Sequence, residues 1–268
     1  MTDQIQTWHN GLVARWWAEF RQDGPEINYY RSVVSRSGQP VLDLGCGTGR
    51  LLLPWLQEGI DVSGVDVAPD MLSHCAELAA RENLQPLLHC QAMHALDLQQ
   101  QFRTIILCGS FGIGGSRVQD QQTLERCFKH LLPGGMIALD HELPWAAGGW
   151  RSWQNNHKPD LPTPWSKTED RRVAGDGSEL VLTTRVIEFN PLDQTTCREI
   201  KVEHWQGGTL LDSQTWPIRL NFYFRNELIG MLEKAGFVQV EVKGDFTDED
   251  AQPYLHSTLV YLGKKPAD

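Results

Sequence analysis

Val41-Leu42-Asp43-Leu44-Gly45-Cys46-Gly47-Thr48-Gly49-Arg50 is the stretch on which the fold turns. Val41–Leu44 reads as a short buried strand running into three glycines spaced G-x-G-x-G. Leu51, Leu52, Trp55 and Leu56 then fall on one side of a helix predicted over 50–58. Strand, glycine loop and helix in that order is the context in which such a loop serves a ligand and not a plain turn. Glycine lets the backbone turn tightly and approach a ligand with no Cβ in the way, and the following helix starts with unpartnered N–H groups. Asp66 ends a second predicted strand, 61–66. A carboxylate there can accept from both hydroxyls of a ribose. The dinucleotide fingerprint reads G-x-G-x-x-G, so the spacing here argues against a nicotinamide dehydrogenase.

Outward from this unit the chain alternates. A helix is predicted from Pro69, a residue suited to a first helical turn, to about 82. Strands follow at 87–91 and 104–108, then a helix over 120–132 stopped by Pro133-Gly134-Gly135, and a strand over 136–141. Upstream, Trp8, Leu12, Val13, Trp16, Trp17 and Phe20 have helical spacing, and a short second helix is predicted over 26–35 beyond Gly24-Pro25. The rhythm breaks at Pro144. Residues 144–178 are rich in Pro, Gly, Trp and Asp and read as an ordered loop or short helices. Three β-rich runs, 179–189, 196–205 and 209–224, are separated by Asn190-Pro191 and Gly207-Gly208 and predict an antiparallel meander. A helix over 225–235 closed by Gly236 and strands at 238–242 and 258–262 complete the pattern.

The expected fold is α/β: a Rossmann-like, seven-stranded, mostly parallel sheet with helices on both faces, only the last strand reversed, and an inserted antiparallel β-meander cap. The expected organisation is an N-terminal helical lid over 1–36, a core over 37–143 and 225–268, and an inserted cap or substrate region over 144–224.

The 268 residues carry a formal net charge of −10, with 41% hydrophobic and 22% charged residues. Such a surface repels phosphate backbones, which disfavours a nucleic-acid partner. No run of about 18 apolar residues suggests a membrane span, and the first residues do not read as a secretory signal. Cysteines 46, 75, 90, 108, 127 and 197 form no C-x-x-C pair, which points to a reduced, cytoplasmic setting.

Over residues 28–143 strongly, and 225–263 more weakly, the chain resembles the class I S-adenosylmethionine (SAM)-dependent methyltransferase family. The resemblance implies that Asp43, Gly45, Cys46, Gly47, Thr48 and Gly49 wrap the methionine half of SAM and that Asp66 holds the ribose. It implies that Val67, Met71 and the segment Gln91-Ala92-Met93 line the adenine. Many members carry an acid where this chain has Ala92, which passes the amino-group contact to Gln91 or to backbone. Cys108, Gly109, Ser110 and Phe111 match the segment beneath the sulfonium. Tyr30, in the Tyr29-Tyr30-Arg31 run, matches the N-terminal region that meets the cofactor carboxylate; packing of the two tyrosines on the sheet edge is the alternative.

Methyl transfer from a sulfonium is an in-line displacement, so the protein supplies alignment and, where needed, a base. Asp140-His141-Glu142 ends the fifth strand at the carboxyl edge, where ligands sit in such sheets. His141, with a reference pKa of about 6.5, is the candidate base, with Glu142 beside it; a plain strand cap is the alternative. No second ligand stands at metal spacing from His141, and no metal is expected. Trp145, Trp150, Trp153 and Trp165, with His204 and Trp205, form either a pocket wall or a small core beneath the cap. The function expected is transfer of a methyl group from SAM to O or N of a small molecule, giving S-adenosylhomocysteine. The alternative is a SAM-binding protein with a non-methylating reaction or a non-catalytic role. The sequence does not determine the oligomeric state.

Overall fold

The computed structural model describes residues 7–20, 23–143 and 160–267. Its central sheet is built on β1 (Val41–Leu44), β2 (Val62–Asp66), β3 (Leu87–Cys90), β4 (Phe102–Leu107) and β5 (Leu131–Glu142). β10 (Val238–Gly244) and β11 (Thr258–Lys264) complete it in the order β10-β11-β5-β4-β1-β2-β3. β1 pairs parallel to β2 and β4, and β2 to β3 and β4 to β5 likewise. β11 runs antiparallel to both β5 and β10, so it is the one reversed strand. β1 is buried at all four positions, as a central parallel strand covered on both faces must be.

One face of the sheet packs on α5 (Arg117–His130) and α6 (Arg225–Ala235) through Leu124, Cys127, Leu228 and Leu232. The other packs on α2 (Pro25–Ser37), α3 (Leu52–Gln57) and α4 (Pro69–Arg81) through Val33, Leu52, Trp55 and Cys75. α5 starts before the expected 120 because Ser116 and Gln119 form a capping box. β5 starts before the expected 136: Leu131 already pairs with Phe102, and the register shifts before Met136 pairs with Thr104. Pro133-Gly134-Gly135 lies within this irregular stretch and does not precede the strand.

The second sheet is antiparallel, β6 (Asp170–Val173), β7 (Glu179–Asn190), β8 (Thr195–Gln206) and β9 (Thr209–Asn221). The meander is thus four-stranded. β6 falls in the stretch read as loop or short helices, because Asp-Arg-Arg-Val at a partly exposed edge has no apolar alternation to announce it. Gly207 and Gly208 both take positive φ, 56° and 79°, as a two-residue hairpin turn matching the strand twist requires.

Two connections fix the second sheet over the carboxyl edge of the first. The loop after β4 pairs with β9: Gly114 N–H donates to the Arg219 carbonyl at 2.7 Å and Asn221 N–H to the Gly112 carbonyl at 2.8 Å. α1 (Gly11–Phe20) lies between the sheets, packing Leu12, Val13 and Trp16 on Leu180, Ile200 and Val202 while Ala14 meets Ala68 and Met71. Leu12 N–H donates to Gln214 of β9 at 2.9 Å and Gly11 N–H to Asp70 of α4 at 2.6 Å.

Candidate active site

A cavity of about 370 Å³ opens at the carboxyl edge of the sheet. The glycine loop forms one wall because the chain turns sharply there: Gly45 takes φ +86°, and a Cβ on it would stand 2.5 Å from the Ser110 Cβ and 2.6 Å from the Met93 Cε. The N–H groups of Gly45 and Cys46 both donate to the Val65 carbonyl, at 2.7 and 3.0 Å. Asp66 braces the same loop, its Oδ2 accepting from Gly47 N–H and its Oδ1 from Ala68 N–H, each at 2.8 Å. Burial raises the Asp66 pKa against those two bonds, and each oxygen keeps acceptor capacity toward the cavity that Asp66 lines. Beneath the loop Asp43 is buried, and its Oδ2 has no hydrogen-bond partner. Burial, and then the charge of Asp66, pushes its pKa up to about 7.

Gly45, Cys46, Gly47, Thr48, Asp66, Val67, Met71, Met93 and Cys108 through Phe111 all line this one cavity. Other residues expected there are elsewhere. Gly49 packs beneath the loop against Leu53 and Cys75. The Gln91 Oε1 accepts from Asp97 N–H at 3.0 Å, and Ala92 precedes a 3-10 turn, Met93–Ala95. Neither is among the described lining residues, whereas Met93 and its neighbour His94 are. Tyr30 is fully buried and donates to Asp140 Oδ1 at 2.7 Å; Asp140 also accepts from Gly109 N–H at 3.0 Å. Tyr30 and Asp140 thus hold the loop after β4 from below, and neither is among the described residues that line the cavity. Arg31 reaches Glu58 at the surface, 2.6 Å away.

His141 and Glu142 are not brought to the cavity among its described lining residues. The His141 Nε2 accepts from Tyr223 N–H at 3.0 Å, and the Phe111 backbone bonds the ring as well. Burial, and then the positive charge of Arg117, pushes the His141 pKa down to about 4. The ring is neutral with its lone pair engaged, which corrects its reading as a base. Glu142 is exposed. Of the tryptophan cluster, Trp145, Trp150 and Trp153 lie outside the described residues. Trp165 sits against the second sheet, under the Arg185 guanidinium at 4.4 Å. Trp205 bonds Glu203, and His204 faces Arg15.

The cavity also gathers residues that the sequence pattern did not single out. Trp8, His9 and Trp17 come from the N-terminal segment, and Ile218 and Leu220 from β9. Arg50, immediately after the glycine loop, forms an ion pair with Glu26 of α2. Asp120 of α5 is buried; its Oδ2 accepts from the Tyr223 hydroxyl and from Asn221 Nδ2, both at 2.7 Å. Arg50 was the one legible in place, since it extends the motif. The others meet only through the packing of α1, α5 and β9. Among the described residues, no group of three or more His, Cys, Asp or Glu is arranged to hold a metal ion, and no helix is long and apolar enough to cross a membrane.

Residues 41–135 match the family model described as a methyltransferase domain. A ubiquinone biosynthesis O-methyltransferase of Nitrobacter winogradskyi is 26% identical over 148 residues, 48% of this chain and 55% of that protein. A putative methyltransferase, YqeM, of Bacillus subtilis is 27% identical over 103 residues, 37% of this chain and 41% of that protein. The chain thus spans about half the length of the curated relatives it matches. Among solved structures, a SAM-dependent methyltransferase from Clostridium acetobutylicum superposes with a TM-score of 0.73 at 14% identity, covering 97% of this chain and 100% of that one. The CcbJ methyltransferase from Streptomyces caelestis gives 0.68 at 22%, covering 91% of each. The sugar N-methyltransferase KedS8 from Streptoalloteichus gives 0.67 at 18%, covering 99% and 96%. At these identities the likeness is one of fold.

Proposed function

We propose that the chain is a class I SAM-dependent methyltransferase that transfers a methyl group from SAM to O or N of a small molecule. The observation that carries this reading is convergence: the glycine loop, Asp66 and the Cys108–Phe111 segment line one cavity that Ile218 and Leu220 of the second sheet also line. The residues present suit the cofactor. Asp66 lines the cavity and keeps acceptor capacity on both carboxylate oxygens, and the Asp43 Oδ2 beneath the glycine loop has no partner in the protein. SAM brings an activated methyl group, so this chain's own contribution is alignment and exclusion of water. Phe111, Ile113, Ile218 and Leu220 supply apolar wall, suited to a small organic acceptor.

A cavity of about 370 Å³ falls in the range of small-molecule sites. A formal charge of −10 also disfavours a nucleic-acid substrate. A sequence relative named a ubiquinone biosynthesis O-methyltransferase supports the small-molecule class. Six free cysteines fit a reducing, cytoplasmic setting.

The test is calorimetric titration with SAM, S-adenosylhomocysteine and NAD, followed by turnover of labelled SAM against small phenols, amines and acids. Binding of the first two is expected; preference for NAD overturns the reading. Asp66→Ala should weaken SAM by about 1–3 kcal/mol, the loss of charge-assisted hydrogen bonds. An unchanged dissociation constant in the folded variant removes Asp66 from ribose binding.

A further inference from the structure

Among the described residues lining the cavity, Arg50 is the one arginine or lysine, against the carboxylates of Glu26, Asp66 and Asp120. It projects from the end of the glycine loop, beside the wall formed by Gly45, Cys46 and Cys108. Its guanidinium meets Glu26 through Nη1, and its Nη2 donates to the Cys108 Sγ at 3.5 Å. A thiol is a weak acceptor, and a guanidinium carries five donors in a planar fork, so the fork keeps donors for another carboxylate. Glu26 is 9% exposed, in the first turn of α2, with its carboxylate folded back over Gly24, where a Cβ would stand 2.3 Å from the Oε2. The other cations near this end are committed elsewhere: Arg31 to Glu58 on the surface, and Arg117 to Glu227 and the Tyr223 ring.

A half-buried pair of opposite charges at the wall of a ligand cavity suits a ligand that is itself a zwitterion. Exchange leaves every charge paired, which avoids the penalty of an uncompensated buried ion. We propose that Arg50 and Glu26 together receive the α-amino-acid end of the cofactor, trading their mutual ion pair for one with the ligand's carboxylate and ammonium. α2 is then held to the glycine loop through the ligand. Nucleosides without the amino-acid end leave the Arg50–Glu26 pair as it is and gain nothing from it. This inference rests on the cofactor reading given above.

The experiment titrates wild type, Arg50→Gln, Arg50→Lys and Glu26→Gln with S-adenosylhomocysteine and methylthioadenosine, which shares the nucleoside and thioether but lacks the amino-acid end. SAM and decarboxylated SAM form a second pair that differs only in the carboxylate. Arg50→Gln should weaken S-adenosylhomocysteine on the order of 10- to 100-fold, leave methylthioadenosine unchanged, and bring SAM down to the affinity of decarboxylated SAM. Arg50→Lys, which keeps the charge without the fork, should fall between. Glu26→Gln should weaken decarboxylated SAM relative to methylthioadenosine. Equal losses for both nucleosides in Arg50→Gln, or no loss for either, overturn the clamp. Wild-type protein that binds neither nucleoside instead sinks the cofactor reading, and the clamp with it.

Discussion

The backbone N–H of Tyr223 donates to the Nε2 of His141 at 3.0 Å, and this bond joins the end of β5 to the strand-to-helix connection that follows β9. Phe111 packs against both rings, its centroid 6.5 Å from His141 and 5.6 Å from Tyr223. His141 therefore holds the second sheet and the loop after β4 in register with β5. His141→Ala should lower the free energy of unfolding by about 2–4 kcal/mol, since it removes a buried ring and leaves a buried N–H unpaired. Urea denaturation measures this, and wild-type stability in the variant would remove His141 from that role.

Asp43 gives a prediction whose sign depends on pH. Its folded pKa of about 7 lies above the usual carboxylate value. The stability it allows is fully present below the unfolded value, about 3.9, and is lost as pH rises through 7. His141 acts in the opposite direction: with a folded pKa of about 4, its contribution is present above about 6.5 and lost as pH falls. The two offset in the wild-type curve, so the informative quantity is a difference. Ligand-free Asp43→Asn should be more stable than wild type at pH 8, by up to about 4 kcal/mol, and the gap should close toward pH 4. A gap independent of pH would show that Asp43 is ionised with an ordinary pKa.

The same substitution should act against ligand binding. The Asp43 Oδ2 has no partner in the protein, so Asn relieves a desolvation penalty, yet removes charge beneath the glycine loop. SAM affinity should drop by about 1 kcal/mol or more while the unfolding midpoint rises. Calorimetry and thermal unfolding on one preparation decide it; tighter SAM binding by the variant contradicts the assignment.

Asp120 and Tyr223 should be energetically coupled. The carboxylate binds the Tyr223 hydroxyl and Asn221 Nδ2 at 2.7 Å each, in a buried site. A double-mutant cycle with Asp120→Asn and Tyr223→Phe should give an interaction energy of about 1–3 kcal/mol. Additive effects would mean that the hydroxyl finds another acceptor and that α5 and the segment after β9 are held by apolar packing alone.

The sheet was legible because its signals are local. Val41–Leu44, Gly45, Gly47, Gly49 and Asp66 specify strand, turn and acid within one βαβ unit, and the alternation of strands and helices specifies the rest. Even the hairpin at Gly207-Gly208 is written in two residues. β6 was not legible, since a short polar edge strand is defined by the partner it pairs with and not by its own periodicity.

The site divides along the same line. The loop, Asp66, Met71, Met93 and Cys108–Phe111 follow their strands to the carboxyl edge, so chain order alone brings them together. The sequence could not say which way a side chain at a strand end turns. His141 turns into the Tyr223 backbone, and Tyr30 turns to Asp140. Nor could it join Glu26 to Arg50, or Leu12 to Gln214 across 202 residues. Motifs encode what a segment does to its own backbone. Which buried charges find each other is settled only when α1, α2 and β9 close on the sheet, because pairing energies depend on burial and distance that no local pattern contains.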